Sequence, residues 1–193
     1  MDLNRLISGS YDEEYASLDR GYLECEEMFA QADKFIKEDR PREAVELLLK
    51  ILQRNPQFGK AYNHLGWVCE NKYKDYTHAE EYYKNAMKYA PHYPAVYLNY
   101  AYFLSNCGRF DELKAHLDMA LTLPYVLKET IYNEYAIMYE MQQNPEEAMN
   151  YYLQSAMSTL DKDKLIRLQE SINRCQSKIE LKNSLNNYYQ TNQ

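Results

Sequence analysis

The chain has 193 residues, a net charge of -7, 46% hydrophobic residues and 26% charged residues. This is ordinary for a folded protein with one domain or one short solenoid. The acidic balance is a poor match for nucleic acid or an anionic membrane surface, so we expect neither as a partner. No apolar run reaches the roughly 18 residues of a membrane span. The N-terminus also lacks the apolar core of a signal peptide, so we expect a cytoplasmic protein.

An acidic segment over residues 1–24 begins the chain, and a helix is predicted to start within it. Apolar residues recur there at steps of three and four, the spacing of one helix face. They are Tyr11, Tyr15, Leu18, Tyr22, Cys25 and Phe29. Gly21 falls within this stretch, and the sequence leaves open whether it bends the helix or separates two helices.

The best-defined pattern lies between Ala61 and Pro91. It reads Tyr62-x2-Leu65-Gly66-x2-Cys69, then Ala79-x3-Tyr83, Ala86 and Pro91. This resembles the tetratricopeptide repeat (TPR), in which two helices carry W-x2-L-G-x2-Y and A-x3-F before a closing proline. The match needs one extra residue in the turn at 72–76. One such unit cannot bury its own apolar face, so further copies are predicted.

The pattern recurs with a period of about 34 residues, the period of the TPR family. We predict four repeats, at 25–58, 59–93, 94–128 and 129–160. The resemblance implies an all-α fold, a right-handed superhelical solenoid of about four helix-turn-helix repeats with an additional N-terminal helix.

A last helix is predicted over residues 161–186, followed by a frayed tail at 187–193. Its apolar stripe consists of Leu165, Leu168, Ile172, Cys175 and Ile179. The stripe could cap the exposed apolar end of the fourth repeat, or it could form a coiled coil with another chain. We favour the cap, because the stripe spans barely two heptads and coiled coils need about three or four.

No pattern of catalytic or metal-binding residues is visible. The four histidines fall in different helices and turns, the four cysteines form no CxxC pair, and no glycine-rich phosphate loop occurs. We therefore expect a protein that is not an enzyme and that uses no metal or cofactor.

The resemblance implies that the first helices of the repeats line a groove that binds a peptide or helix of another protein. We predict groove residues at the first-helix positions that packing does not require. They are Phe29, Asp33, Asn63, Trp67, Glu70, Asn99, Tyr102, Asn106, Asn133 and Ile137. An apolar stripe is formed by Phe29, Trp67, Tyr102 and Ile137. The three asparagines at 63, 99 and 133 form a ladder of amides. Alternatively, Trp67 and Tyr102 pack against the next repeat.

The predicted partner segment is apolar or basic. Some TPR proteins hold acidic C-terminal tails with a clamp of Lys, Asn and Arg, but here only Asn99 matches a clamp position. Carboxylates at Asp33, Glu70, Glu134 and Glu140 are expected to repel an acidic tail.

Two alternatives to a simple adaptor remain. The chain is similar in size and layout to small TPR chaperones of secreted proteins, in which case the Tyr11–Tyr22 face would form a homodimer. In the other alternative, the acidic N-terminal segment folds across the groove and blocks it.

Overall fold

The computed structural model describes the backbone of residues 3–191 and the side chains of residues 20–188. These residues form nine α-helices joined by short connections, which make sequence neighbours antiparallel partners. The helices are α1 (Leu3–Lys37), α2 (Pro41–Arg54), α3 (Gly59–Val68), α4 (Tyr76–Tyr89), α5 (Pro94–Asn106), α6 (Phe110–Leu121), α7 (Lys128–Met141), α8 (Pro145–Ser158) and α9 (Lys162–Thr191). The chain divides into two compact units, Met1–Tyr100 and Ala101–Gln193.

In the first unit α1 packs against α2, and α3 packs against α4. The core alternates small and large apolar side chains, as close helix packing requires. Its buried members are Cys25, Ala32, Leu48, Ile51, Phe58, Ala61 and Leu65. Gly66 faces the ring of Tyr83, and a Cβ at Gly66 would lie 2.8 Å from that ring. The glycine of the repeat pattern is therefore needed for the close approach of α3 and α4.

The N-terminal helix α1 is continuous from Leu3 to Lys37. Gly21 lies within it, and so does the predicted boundary between the N-terminal segment and the first repeat. A segment that folds back across the groove would need a break in α1, and the described backbone shows none between Leu3 and Lys37. The blocking alternative stays a prediction. The predicted face at Tyr11, Tyr15 and Leu18 lies outside the described side chains.

The backbone repeats one conformation where the first helix of each predicted repeat ends. A residue with positive φ follows α1, α5 and α7, and another follows the turn after α3. Such left-handed residues commonly terminate helices. They are Asp39 (58°), Lys74 (57°), Gly108 (67°) and Gln143 (58°), spaced by 35, 34 and 35 residues. The extra residue of the second repeat is accommodated in a π-helical turn, Cys69–Tyr73, slightly before the predicted turn.

Two tyrosines connect first helices to the proline that precedes them. The hydroxyl of Tyr62 donates to the carbonyl of Pro56 over 3.1 Å. Tyr97 donates in the same way to the carbonyl of Pro91 over 2.8 Å. A phenol can make this bond where a phenylalanine cannot, which gives part of the abundant tyrosine a structural role.

In the second unit α7 packs against α8, and α9 packs against α8. Leu168 and Cys175 of α9 are buried in a cluster with Ala136, Ala148 and Tyr152. The last helix therefore acts as a cap, as predicted, with Leu168, Ile172 and Cys175 of its apolar stripe packed on the preceding repeat, while Leu165 stays 46% exposed. It continues to Thr191 and so includes residues that we assigned to the frayed tail. Within the described chain, no helix is both long and apolar enough to cross a membrane.

Candidate functional site

The predicted groove residues of the first unit lie on α1, α3, the π-helical turn after α3, and α5. The ring of Phe29 meets His64 edge-on with a centroid distance of 4.5 Å. Asp33 accepts from Lys37 Nζ at 2.6 Å and lies 3.3 Å from His64 Nε2. The hydrogen bond from Lys37 lowers the pKa of Asp33, while burial lowers the pKa of His64. The carboxylate of Asp33 is thus already paired within the unit.

Two members of the amide ladder bond to each other. Asn99 Nδ2 donates to Asn63 Oδ1 over 3.1 Å, which joins α5 to α3. Asn63 is only 1% exposed, whereas Asn99 remains partly accessible. A peptide backbone could therefore reach the amide of Asn99 more easily than that of Asn63.

Trp67 and Glu70 differ in their surroundings although they lie one turn apart. Trp67 is partly buried, and Lys72 Nζ lies 5.8 Å from the centroid of its ring. Glu70 is 4% exposed. Its carboxylate accepts from the hydroxyl of Tyr83 over 2.8 Å. Trp67 keeps some accessible surface, while Glu70 points into the repeat.

In the second unit the structure brings Tyr102 and Asn133 to one cavity of about 330 Å³. Tyr102 is 42% exposed. The cavity is lined by Tyr102, Glu129, Thr130, Asn133, Ser155, Lys164, Arg167, Leu168 and Ser171. Asn106 is exposed and Ile137 packs against the core of this unit, and neither lines the cavity.

Sequence reasoning missed the contribution of α9 to this site. It assigned Lys164, Arg167 and Ser171 to a cap, because the TPR resemblance directs attention to first helices only. A signal was present in the charge distribution, since α9 is rich in basic residues within an acidic chain.

Beside the cavity residues lies a buried carboxyl group, Glu134, which is 4% exposed. Burial raises its pKa to about 7, and a hydrogen bond from Asn133 Nδ2 over 3.2 Å opposes this only in part. Burial raises the pKa of Tyr102, and the charge of Glu134 raises it further. Near neutral pH a large fraction of Glu134 is therefore uncharged.

Glu140, on the same helix as Glu134, is engaged by three donors. Arg174, Lys178 and Tyr152 all donate to its carboxylate. The bond from Arg174 is the largest cause that lowers its pKa to about 2. All four carboxylates that we expected to repel an acidic partner are thus paired or buried. The preference for a basic partner was inferred from unpaired carboxylates in the groove, and these four residues do not provide them.

Residues 2–107 match the sequence model of the tetratricopeptide repeat protein 21 C-terminal ARM domain, which covers more than half of the chain. The chain belongs to this family. Among curated proteins, none matches the sequence significantly.

Solved structures of other helical-repeat proteins share the fold. PilF of Pseudomonas aeruginosa is 16% identical with a TM-score of 0.67, over 84% of this chain and 75% of that chain. PilW, a type IV pilus biogenesis factor, is 19% identical with a TM-score of 0.62, over 81% and 78%. A thermophilic TPR protein of Thermus thermophilus is 20% identical with a TM-score of 0.61, over 88% and 94%.

At these identities the comparisons concern the fold. They confirm the predicted all-α TPR architecture. TPR-type folds generally serve as non-catalytic scaffolds for protein interaction, and the family match indicates no enzymatic family.

Proposed function

We propose that this protein is a non-enzymatic cytoplasmic adaptor that binds a peptide or helix of a partner protein along the first helices of its repeats. One observation carries the proposal. Tyr102, an aromatic side chain on a first helix, is 42% exposed and lies at a cavity together with the amide of Asn133. An accessible aromatic ring with polar groups around it is the usual composition of a binding hot spot.

Trp67 offers a second anchor in the first unit. Its partial exposure leaves ring surface for an apolar side chain of the partner, and the Asn99 amide on α5 can bond a peptide backbone. Asp33 is paired with Lys37 and Glu70 is buried, so neither carboxylate is offered unpaired to a partner at this surface. This supports an apolar segment as its occupant.

The proposal is tested by comparing wild type with Tyr102→Ala and Trp67→Ala. Partners are captured with the wild-type protein, identified by mass spectrometry, and their direct affinity is measured by calorimetry. We expect each variant to weaken binding by about 2 kcal/mol, the loss that is common for a central aromatic anchor. Met119→Ala is the control, because Met119 is 40% exposed on α6 and does not line the cavity.

Thermal melting followed by circular dichroism separates binding from folding. Wild-type melting temperatures in the two anchor variants would show that the lost affinity arises at the surface. Unchanged affinity in both variants, or unfolding of both, would contradict the proposal.

A further inference from the structure

The basic residues of α9 are unequally engaged. Four of them pair with carboxylates on α7 and α8, at nitrogen-to-oxygen distances of 2.6 to 2.7 Å. These are Lys164 with Glu129, Arg174 and Lys178 with Glu140, and Lys182 with Glu146. Arg167 differs from them. Among the residues that the structure describes its side chain makes no hydrogen bond or ion pair, and it lines the 330 Å³ cavity.

We propose that this cavity binds an acidic side chain of an extended segment of the partner protein, with Arg167 as the principal cation. The inference rests on the proposed function, since it specifies which chemical group of the partner binds in the cavity where Tyr102 lies.

A carboxylate is the ligand group that suits these donors. The guanidinium of arginine presents parallel N–H groups that match the two oxygens of a carboxylate. The amide of Asn133 and the hydroxyl of Thr130 lie around the same cavity and can donate to an oxygen. Tyr102 supplies apolar surface for the aliphatic part of the acidic side chain.

The carboxylates near the cavity leave Arg167 available. Glu129 accepts from Lys164 Nζ at 2.6 Å. Asp161 accepts from the backbone N–H groups of Asp163 and Lys164. The bond from Lys164 is the main cause that lowers its pKa, and the charge of Arg167 contributes least. Both acids thus have partners of their own.

The arrangement along α9 favours an extended segment over a single terminal carboxylate. The cavity-lining residues Lys164, Arg167, Leu168 and Ser171 follow one another at helical spacing on one edge of the helix. At 1.5 Å per residue this edge is about 10 Å long. An extended chain covers that distance with about three residues, at roughly 3.3 Å each.

The test is an NMR titration of the full chain with blocked hexapeptides, acetylated and amidated, that alternate Glu, Gln or Lys with Ala. We expect the Glu peptide to bind best, with the largest shifts in residues 164–171. Arg167→Gln should weaken this binding by about tenfold, as expected for loss of a charge-assisted fork. Arg167→Lys, which keeps the charge but not the fork, should be intermediate.

Lys162→Gln is the matched control, because Lys162 lies on the same helix, carries the same charge and does not line the cavity. It should change the affinity by less than about twofold, since exposed charges outside the site act only through screened attraction. Glu129→Gln should strengthen binding, because it releases Lys164. Wild-type amide spectra outside α9 confirm that each variant is folded.

Several results would overturn the inference: no binding of the Glu peptide, equal or stronger binding of the Lys peptide, or equal loss in Arg167→Gln and Lys162→Gln. A Gln peptide with a free C-terminus that binds as well as the Glu peptide would assign the site to a terminal carboxylate instead. A captured partner that depends on Tyr102 but binds Arg167→Gln normally would overturn this inference alone. Glu-peptide binding without a Tyr102- or Trp67-dependent partner would contradict the proposed function alone.

Discussion

The hydroxyl of Tyr83 donates a hydrogen bond of 2.8 Å to the carboxylate of Glu70 in the interior of the first unit. Tyr83 is fully buried and Glu70 is 4% exposed. Glu70 belongs to the π-helical turn Cys69–Tyr73, so the bond joins the end of one repeat helix to the middle of the next. A residue that the repeat pattern assigned to the groove is therefore part of the packing inside a repeat.

Tyr83→Phe should destabilise the protein by about 2 kcal/mol. The substitution removes a donor to a buried carboxylate, and bonds to charged groups contribute about 1.5–3 kcal/mol. Urea unfolding followed by circular dichroism measures the loss. Tyr73→Phe is the control, because Tyr73 is 49% exposed on the same turn. Equal stability of the two variants would show that the bond contributes little.

Two glycine-to-alanine changes should have opposite effects. Gly66→Ala places a Cβ 2.8 Å from the ring of Tyr83 and should cost about 1–3 kcal/mol through overpacking. Gly21→Ala meets no atom within 4 Å in the middle of α1. It should stabilise the helix by about 0.5–1 kcal/mol, because alanine loses less backbone entropy. Thermal melts should show a lower melting temperature for Gly66→Ala and a higher one for Gly21→Ala. A Gly66→Ala protein as stable as wild type would contradict the close approach of α3 and α4.

Glu140→Gln should weaken the docking of α9. The variant keeps a hydrogen-bond acceptor but loses the charge that Arg174 and Lys178 bind, and we expect a loss of about 2 kcal/mol. Glu146→Gln removes the exposed pair with Lys182 and should have a smaller effect. Hydrogen exchange of the α9 amides distinguishes the two. Equal protection in both variants would assign the docking to apolar contacts alone.

The low pKa of Glu140 also determines how the stability of the fold changes at acid pH. Because the folded-state pKa of about 2 lies below the ordinary 4.5, the carboxylate stabilises the fold above about pH 4.5. This stabilisation is lost as the pH falls towards 2. Urea unfolding between pH 5 and 2.5 should therefore show a steeper loss for wild type than for Glu140→Gln.

Glu134 has the opposite pH dependence. The folded protein holds its proton to about pH 7, whereas the unfolded chain releases it near 4.5. Stability therefore falls as the pH rises between these values, by about 3 kcal/mol in total. Glu134→Gln keeps the acceptor for Asn133 and should remove this dependence, so its advantage over wild type grows from pH 5 to pH 8. Glu170→Gln, at an exposed position, is the control, and parallel curves for wild type and Glu134→Gln would contradict the buried-acid assignment.

Much of the fold could be predicted from sequence because it depends on local spacing. Helix periodicity, small residues at close approaches and recurrence at about 34 residues are properties of the linear chain. The aromatic candidates Trp67 and Tyr102 came from the same positional argument, and both retain accessible surface. The continuity of α1 through Gly21 could not be read in this way, because a lone glycine weakens a helix without necessarily ending it.

By itself the sequence determined that this chain forms antiparallel helix pairs of the TPR type, since each pair must bury an apolar face against its neighbours. Only the tertiary structure decided which carboxylates are available to a partner. Whether a charged group can interact with a partner depends on its own ion pairs and on its burial. Both depend on residues that are distant along the chain. Glu70 is bound by Tyr83, Glu140 by Arg174, and Glu134 is buried, while Arg167 is left facing the cavity.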